Sequence, residues 1–128
     1  MTPLPGKRIL VVDDQKAMLR LIRGILHDSG LMDVVEADDA VTAVSELRDQ
    51  SYSLVISDLM MEPMSGLELL REVRRDARLR RLPFLMVTGA GFADEVLAAK
   101  DAGVSGYIVK PFTTDTLRRK VSELLYHP

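Results

Sequence analysis

Leu54-Val55-Ile56-Ser57-Asp58 joins a run suited to a buried strand directly to a carboxylate, and a turn-rich stretch from Leu59 to Gly66 follows it. In an α/β protein the carboxyl end of a strand lies at the sheet rim, where ligands bind. One such aspartate means little, because turn chemistry also favours Asp there. Three further runs end in polar groups: Ile9-Leu10-Val11-Val12 in Asp13-Asp14, Phe84-Leu85-Met86-Val87 in Thr88, and Tyr107-Ile108-Val109 in Lys110-Pro111. Gathered at one rim, three carboxylates, a hydroxyl and an amine make a site. Carboxylates so close repel, and without a cation one should hold its proton more tightly. Mg²⁺ relieves that repulsion with one or two direct carboxylates, keeping waters and phosphate oxygens as its other ligands. Phosphate alone would be repelled by Asp13-Asp14, whereas cation-bridged phosphate is attracted. Lys110 can neutralise further charge, and the Thr88 hydroxyl can donate to a phosphoryl oxygen. The chemistry that fits is carboxylate attack on phosphorus to give an acyl phosphate. Asp58, alone at its strand end, is the natural nucleophile.

These groups must be positioned by alternating strands and helices. After the first strand, Met18, Leu21, Ile22 and Ile25 recur at helical spacing, with Gly30 as the stop. Val34-Val35-Glu36-Ala37 reads as a second strand, and Ala40, Val41, Val44 and Leu47 as one face of a second helix. Leu67, Leu70 and Val73 mark a third helix that runs into an Arg-rich loop ended by Pro83. Val96, Leu97 and Ala99 belong to a fourth helix closed by Gly103, and Leu117, Val121, Leu124 and Leu125 to a fifth. Unalternating apolar runs imply strands buried on both faces, as in a parallel sheet between helices. The expectation is a doubly wound (βα)5, flavodoxin-like α/β fold with strand order 2-1-3-4-5. Asp13, Asp14 and Asp58 would then converge at the crevice between strands 1 and 3.

Composition bounds the alternatives. The chain has 128 residues and a net charge of −2, with a pI of 5.7, which argues against a general nucleic-acid binder. It has no cysteine, so disulfides, cysteine-based zinc clusters and a thiol nucleophile are excluded. No apolar run is long enough to span a membrane, and the start lacks a signal-peptide core, so a cytoplasmic protein is expected. Residues 1–6 read as an N-terminal extension and 7–128 as a single domain.

Val11-Val12-Asp13-Asp14, Ser57-Asp58, Met64-Ser65-Gly66-Leu67-Glu68-Leu69, Val87-Thr88 and Gly106-Tyr107-Ile108-Val109-Lys110-Pro111-Phe112 stand in an order and spacing that resemble a response-regulator receiver domain. The resemblance runs from Arg8 to about Tyr126 and is strongest to the stand-alone, chemotaxis-type members. The 2-1-3-4-5 order is also the known order of that family. The resemblance implies that Asp58 is the phosphorylated residue, that Asp14 ligates Mg²⁺ directly with Asp13 acting through water, and that Met60 offers its backbone carbonyl. It implies a switch pair in Thr88 and Tyr107, a phosphoryl contact from Lys110, and a cis Lys110-Pro111 bond. It implies no enzyme in the usual sense, only a domain that catalyses its own phosphorylation and dephosphorylation. The partners it implies are a sensor histidine kinase or phosphotransfer protein, and a downstream protein target such as a flagellar motor or kinase component. Signalling is expected through helix 4, strand 5 and helix 5, without direct nucleic-acid contact.

Two departures stand out. The family's turn commonly has proline three positions after the phosphorylated aspartate; here Pro63 comes one later, and Ser65 stands where acidic residues are common. Two positions that are polar in the chemotaxis-type members, beside the phosphoryl group, are Met60 and Ala90, which puts the dephosphorylation rate in question.

Plainer readings exist for each feature. Asp13 and Asp14 could cap the first helix, Tyr107 could be a packing aromatic, and the methionines around Pro63 could be flexible packing. His27 and His127 read as solvated. Arg71, Arg74, Arg75, Arg78, Arg80 and Arg81 read as a solvated face complementing the helix dipole. Among rival functions, an aspartate-nucleophile Mg²⁺ phosphatase of the haloacid-dehalogenase type wants a second Asp two positions after the nucleophile, where Met60 stands. A flavodoxin wants a hydroxyl- and glycine-rich first loop, which Asp13-Asp14-Gln15 is not. A purely protein-binding receiver would not need the complete acidic set. A receiver excised from a longer regulator also fits, although Met1 favours a native start. With no output segment after Pro128, protein–protein contact is the expected output.

Overall fold

The computed structural model describes residues 7–89 and 93–126. Five strands alternate with five helices: β1 (Arg8–Val12), α1 (Lys16–Asp28), β2 (Asp33–Ala37), α2 (Ala40–Asp49), β3 (Leu54–Asp58), α3 (Gly66–Arg75), β4 (Phe84–Gly89), α4 (Ala93–Asp101), β5 (Gly106–Lys110) and α5 (Thr114–Tyr126). All pairings are parallel, in the order β2-β1-β3-β4-β5. That is the doubly wound fold expected from the unalternating strands. Leu54, Val55 and Ile56 are wholly buried because helices cover both faces of the sheet. One apolar layer joins β-strand residues to α1 and α5, and the other joins them to α2, α3 and α4.

Two helical faces differ from the sequence reading. In α1 the buried stripe is Leu19, Ile22, Ile25 and Leu26, and Leu21 is half exposed. Residues 18, 21, 22 and 25 and residues 19, 22, 25 and 26 both satisfy helical spacing, and the sheet selected the second set, about one residue step round the helix. In α2, Ala40, Ala43 and Leu47 face inward and Val41 lies exposed. Ala43 lets the helix lie close to the sheet. The stops at Gly30 and Gly103 match, with φ of 88° and 91°, the left-handed region that glycine enters without a Cβ penalty.

The arginine run is also more than a solvated face. Arg74 donates from Nε to Gly103 O (2.8 Å), from one terminal nitrogen to Leu82 O (2.7 Å) and from the other to Ser105 Oγ (3.2 Å). Its partial burial lowers its pKa by desolvation. One guanidinium thus ties α3 to both the loop entering β4 and the loop entering β5. Arg78 similarly donates to Leu47 O and Arg48 O at the end of α2. Histidine 27 is not simply solvated either: its Nε2 is buried without a hydrogen-bond partner among the described residues.

Arg74→Ala removes a charged donor and leaves two carbonyls to resolvate, so it should destabilise the domain by about 2 kcal/mol. Arg71→Ala, on the exposed side of the same helix, should change stability by no more than about 0.5 kcal/mol. Urea unfolding of both variants checks the contrast.

Candidate functional site

Strand ends build the site. Asp58 is the last residue of β3, buried to 8% exposure, and the Leu59 amide beyond it donates to Val87 O (2.9 Å). Asp13 follows β1 and is held by its own amide, which donates to Ala37 O on β2 (3.1 Å). The Asp13 side chain accepts from the Gln15 amide (2.9 Å). Gln15 is the N-cap of α1 and makes no side-chain cap, so neither aspartate serves as the cap of that helix. Asp13 is almost wholly buried, whereas Asp14 is exposed. Carboxylate oxygens of Asp13, Asp14 and Asp58 lie within 4.8 Å of one another.

Lys110, at the end of β5, points its ammonium into this group, 3.3 Å from Asp58 Oδ1 and 3.7 Å from Asp13 Oδ2. Burial pushes the Asp13 carboxyl above its ordinary range; the Gln15 amide opposes this, Asp58 adds to it, and Lys110 opposes it. One ammonium against three carboxylates leaves a negative site. Its donors are all hard oxygens at mutual distances that one small divalent cation can bridge, so the residues fit Mg²⁺ by donor chemistry.

Thr88 is buried in β4, with its hydroxyl donating to Gly89 O at 3.3 Å. Tyr107 does not join the carboxylates. It is half buried on β5, packed against the layer formed with α2, α3 and α4, and the Lys100 ammonium of α4 lies 5.1 Å from its ring centroid, within cation–π range. Met60 follows the site and is 52% exposed. Ala90 and His127 lie outside the described residues, as does the 1–6 extension. The Lys110-Pro111 bond is cis, as the resemblance implied, and so is Glu62-Pro63, which lies at the shifted proline.

Three supports were not read as such from the sequence. Ser65 caps α3, accepting from the Glu68 amide while the Glu68 carboxylate accepts from the Ser65 amide. The Ser-x-x-Glu spacing that signals this box was present. Gly66 passes directly against the Asp58 carbonyl, where any Cβ would collide with that oxygen, and its amide donates to Leu59 O (2.9 Å). Ser57 is buried and donates to Asp58 O (2.9 Å). No sequence signal pointed to either contact, because each depends on how the loop folds back.

The molecule is therefore a doubly wound domain with an acidic pocket, offset in part by Lys110, at the carboxyl ends of β1, β3 and β5, beside the β1/β3 position where this strand order reverses. Residues 9–122 match the response regulator receiver domain, and the chain belongs to that family. It is 43% identical to the chemotaxis protein CheY of Pseudomonas aeruginosa over 117 residues, covering 91% of this chain and 94% of that one. Chemotaxis protein CheY-3 of Vibrio cholerae is 40% identical over the same length, covering 91% and 90%. Among solved structures, chemotaxis response regulator CheY4 of Vibrio cholerae superposes with a TM-score of 0.86 at 28% identity, covering 93% and 98%. A response regulator from Chloroflexus aurantiacus gives 0.88 at 26% identity, covering 93% and 97%. CheY is itself a reference instance of the 2-1-3-4-5 order. Family membership makes this a signalling domain of two-component systems.

The raised Asp13 pKa has a definite sign. In the metal-free protein it contributes stability that is fully present below the ordinary carboxylate range and is lost as pH rises through the raised value. Where it is ionised, the buried Asp13 carboxylate therefore opposes folding. Asp13→Asn keeps an oxygen for the Gln15 amide, so it should raise the thermal midpoint of chelator-treated protein at pH 7. It should also flatten the decline in stability above about pH 4. Melting curves across pH for both proteins measure this, and an unchanged neutral midpoint would contradict it.

Proposed function

We propose that this chain is a phospho-acceptor switch that takes a phosphoryl group from a histidine kinase, or phosphotransfer protein, onto Asp58. The observation that carries the reading is the gathering of the Asp58 carboxylate with those of Asp13 and Asp14, with the Lys110 ammonium against both Asp58 and Asp13. In the transfer, an Asp58 oxygen forms a bond to phosphorus as the phosphorus–nitrogen bond of the donor histidine breaks. The imidazole leaves and takes up a proton. A bound Mg²⁺ supplies charge neutralisation between the incoming phosphate and the acidic rim. Asp14, with Asp13 acting through water, would hold it together with Asp58 of the same cluster and the Met60 backbone carbonyl, the water-mediated role of Asp13 and the Met60 contact following from the family resemblance.

Lys110 stands where it can follow the negative charge from the Asp58 carboxylate to the phosphoryl group, and its Asp13 contact limits where the ammonium can go. Thr88 lies one residue beyond the β4 position paired with Asp58, so its hydroxyl can turn from Gly89 O towards a phosphoryl oxygen. Tyr107, on β5 beside α4, is suited to carry that change to the surface of α4, β5 and α5. The relatives named for chemotaxis support a role in that process, with a motor or kinase component as the protein that reads the surface.

Asp58→Asn should abolish acyl-phosphate formation, since an amide is a poor nucleophile. Labelling with a radioactive small-molecule phosphodonor and Mg²⁺ tests it, and undiminished labelling would move the site elsewhere. Asp14→Ala should weaken Mg²⁺ binding by at least about tenfold and slow phosphorylation in step, as calorimetric titration and the same labelling assay report. The lifetime of the phosphorylated form gives a further test. Hydrolysis needs a water held in line behind phosphorus, and the exposed Met60 thioether accepts hydrogen bonds only weakly. Met60→Asn should therefore shorten the lifetime severalfold at matched Mg²⁺ and pH. Equal decay would show that the side chain is a spectator.

A further inference from the structure

Arg71 to Arg81 holds six arginines against two carboxylates, Glu72 and Asp76. This segment lies at the opposite end of the sheet from Asp58, where α3 ends and the chain enters β4. Dipole complementation accounts for only part of it. Arg74 and Arg75 are in the last turn of α3, whereas Arg78, Arg80 and Arg81 come after the helix has ended, beyond the reach of that effect. Arg74 and Arg78 are committed to backbone carbonyls, and Arg75 pairs with Glu72 at 2.8 Å. Arg71, Arg80 and Arg81, and Arg48 from the last turn of α2, are exposed. Their guanidinium groups have no hydrogen-bond or ion-pair partner among the described residues. Arg78 donates to the Arg48 carbonyl, which draws α2 and this loop together and concentrates positive charge that Glu72 and Asp76 offset only in part.

The surface between these arginines is not flat. A cleft of about 230 Å³ runs between α2 and α3, with Val44, Leu47 and Val73 in its wall, Arg48 and Arg75 at its edge, and Glu72 and Asp76 beside them, Glu72 being paired with Arg75. A second, of about 330 Å³, opens between the loops entering β3 and β4, edged by Arg78 and Arg81. Leu79 lines both. Clefts with some aliphatic wall, each edged by one unpaired guanidinium fork (Arg48 in the first, Arg81 in the second), suit carboxylates carried on a chain that also has apolar side chains to insert.

We propose that this α2–α3 surface docks an acidic segment of a partner protein, with apolar side chains seated in the two clefts and carboxylates against Arg48, Arg71, Arg80 and Arg81. Nucleic acid fits less well. The aromatic of the second cleft, Tyr52, is already engaged, its hydroxyl donating to Glu46 (2.7 Å) and the Arg8 guanidinium lying 6.0 Å from its ring centroid. No other aromatic lines either cleft for base stacking, and the whole chain carries a net charge of −2. Because the surface lies at the far end of the sheet, this inference is independent of the phosphotransfer reading.

The test uses the full chain and a fluorescent peptide of repeated Asp-Glu-Leu-Glu, followed by anisotropy. Saturable binding is expected at low ionic strength, weakening as salt is added. Arg80→Ser with Arg81→Ser should weaken it by at least about tenfold. These two side chains make no contacts that folding needs, which circular dichroism verifies. Arg118→Ser with Arg119→Ser, an exposed pair on α5, should leave binding unchanged, and so should Asp58→Asn. Replacing leucine by serine in the peptide should also weaken binding. The proposal is overturned by absent binding, by equal loss in the α5 pair, by indifference to the leucines, or by tighter binding of a single-stranded oligonucleotide of equal charge.

Discussion

The mutual repulsion of three carboxylates at one rim is the constraint on which the rest of this structure depends. Asp13, Asp14 and Asp58 are held within 4.8 Å although each would lower its energy by moving apart. Lys110 offsets part of the cost, and the raised pKa of Asp13 records what burial adds. Such an arrangement persists only where the surrounding fold over-determines it. Here the sheet does so: β1 and β3 are laddered on both sides and buried on both faces, and β5 is laddered to β4, which holds their ends in place. A fold relaxed around this charge would have lost its readiness to accept a cation and a phosphoryl group.

The loops are tied as firmly as the strands. Gly66 lies against the Asp58 carbonyl, the Ser65–Glu68 box starts α3 at once, and Ser57 donates to the same carbonyl from within the strand. The segment after Asp58 is thereby drawn back over the strand end. On the far side of the sheet Arg74 joins three segments through one guanidinium. Packed elements of this kind shift between discrete arrangements and do not deform continuously.

Charge is divided between the two ends of the domain. The acidic rim lies at one end, and the arginine-bearing ends of α2 and α3 lie opposite. The near-neutral total conceals this division, because net charge is a sum and recognition responds to the local field. The tyrosine side illustrates a further local effect: Lys100 over Tyr107 gives the α4–β5 surface a cation–aromatic contact that composition could not reveal.

The sequence by itself determined the architecture and the site's membership. Unalternating apolar runs can be satisfied only by strands covered on both faces, and polar residues ending four of them fall at one rim in any right-handed parallel winding. The clustering of Asp13, Asp14, Asp58 and Lys110 was legible for that reason, and Gly30 and Gly103 because a helix stop needs a left-handed residue. Tertiary structure decided what periodicity leaves degenerate. Two apolar stripes share α1, and only docking on the sheet chose Leu19 and Leu26 over Leu21. Arg74 and Arg78 looked like their solvated neighbours, because their partners are mostly backbone carbonyls from segments up to 31 residues away. Gly66 carried no sign of its role, since the carbonyl it must clear belongs to another element. Local pattern reports which residues prefer burial or a turn; which groups meet across the chain is fixed only when the layers pack.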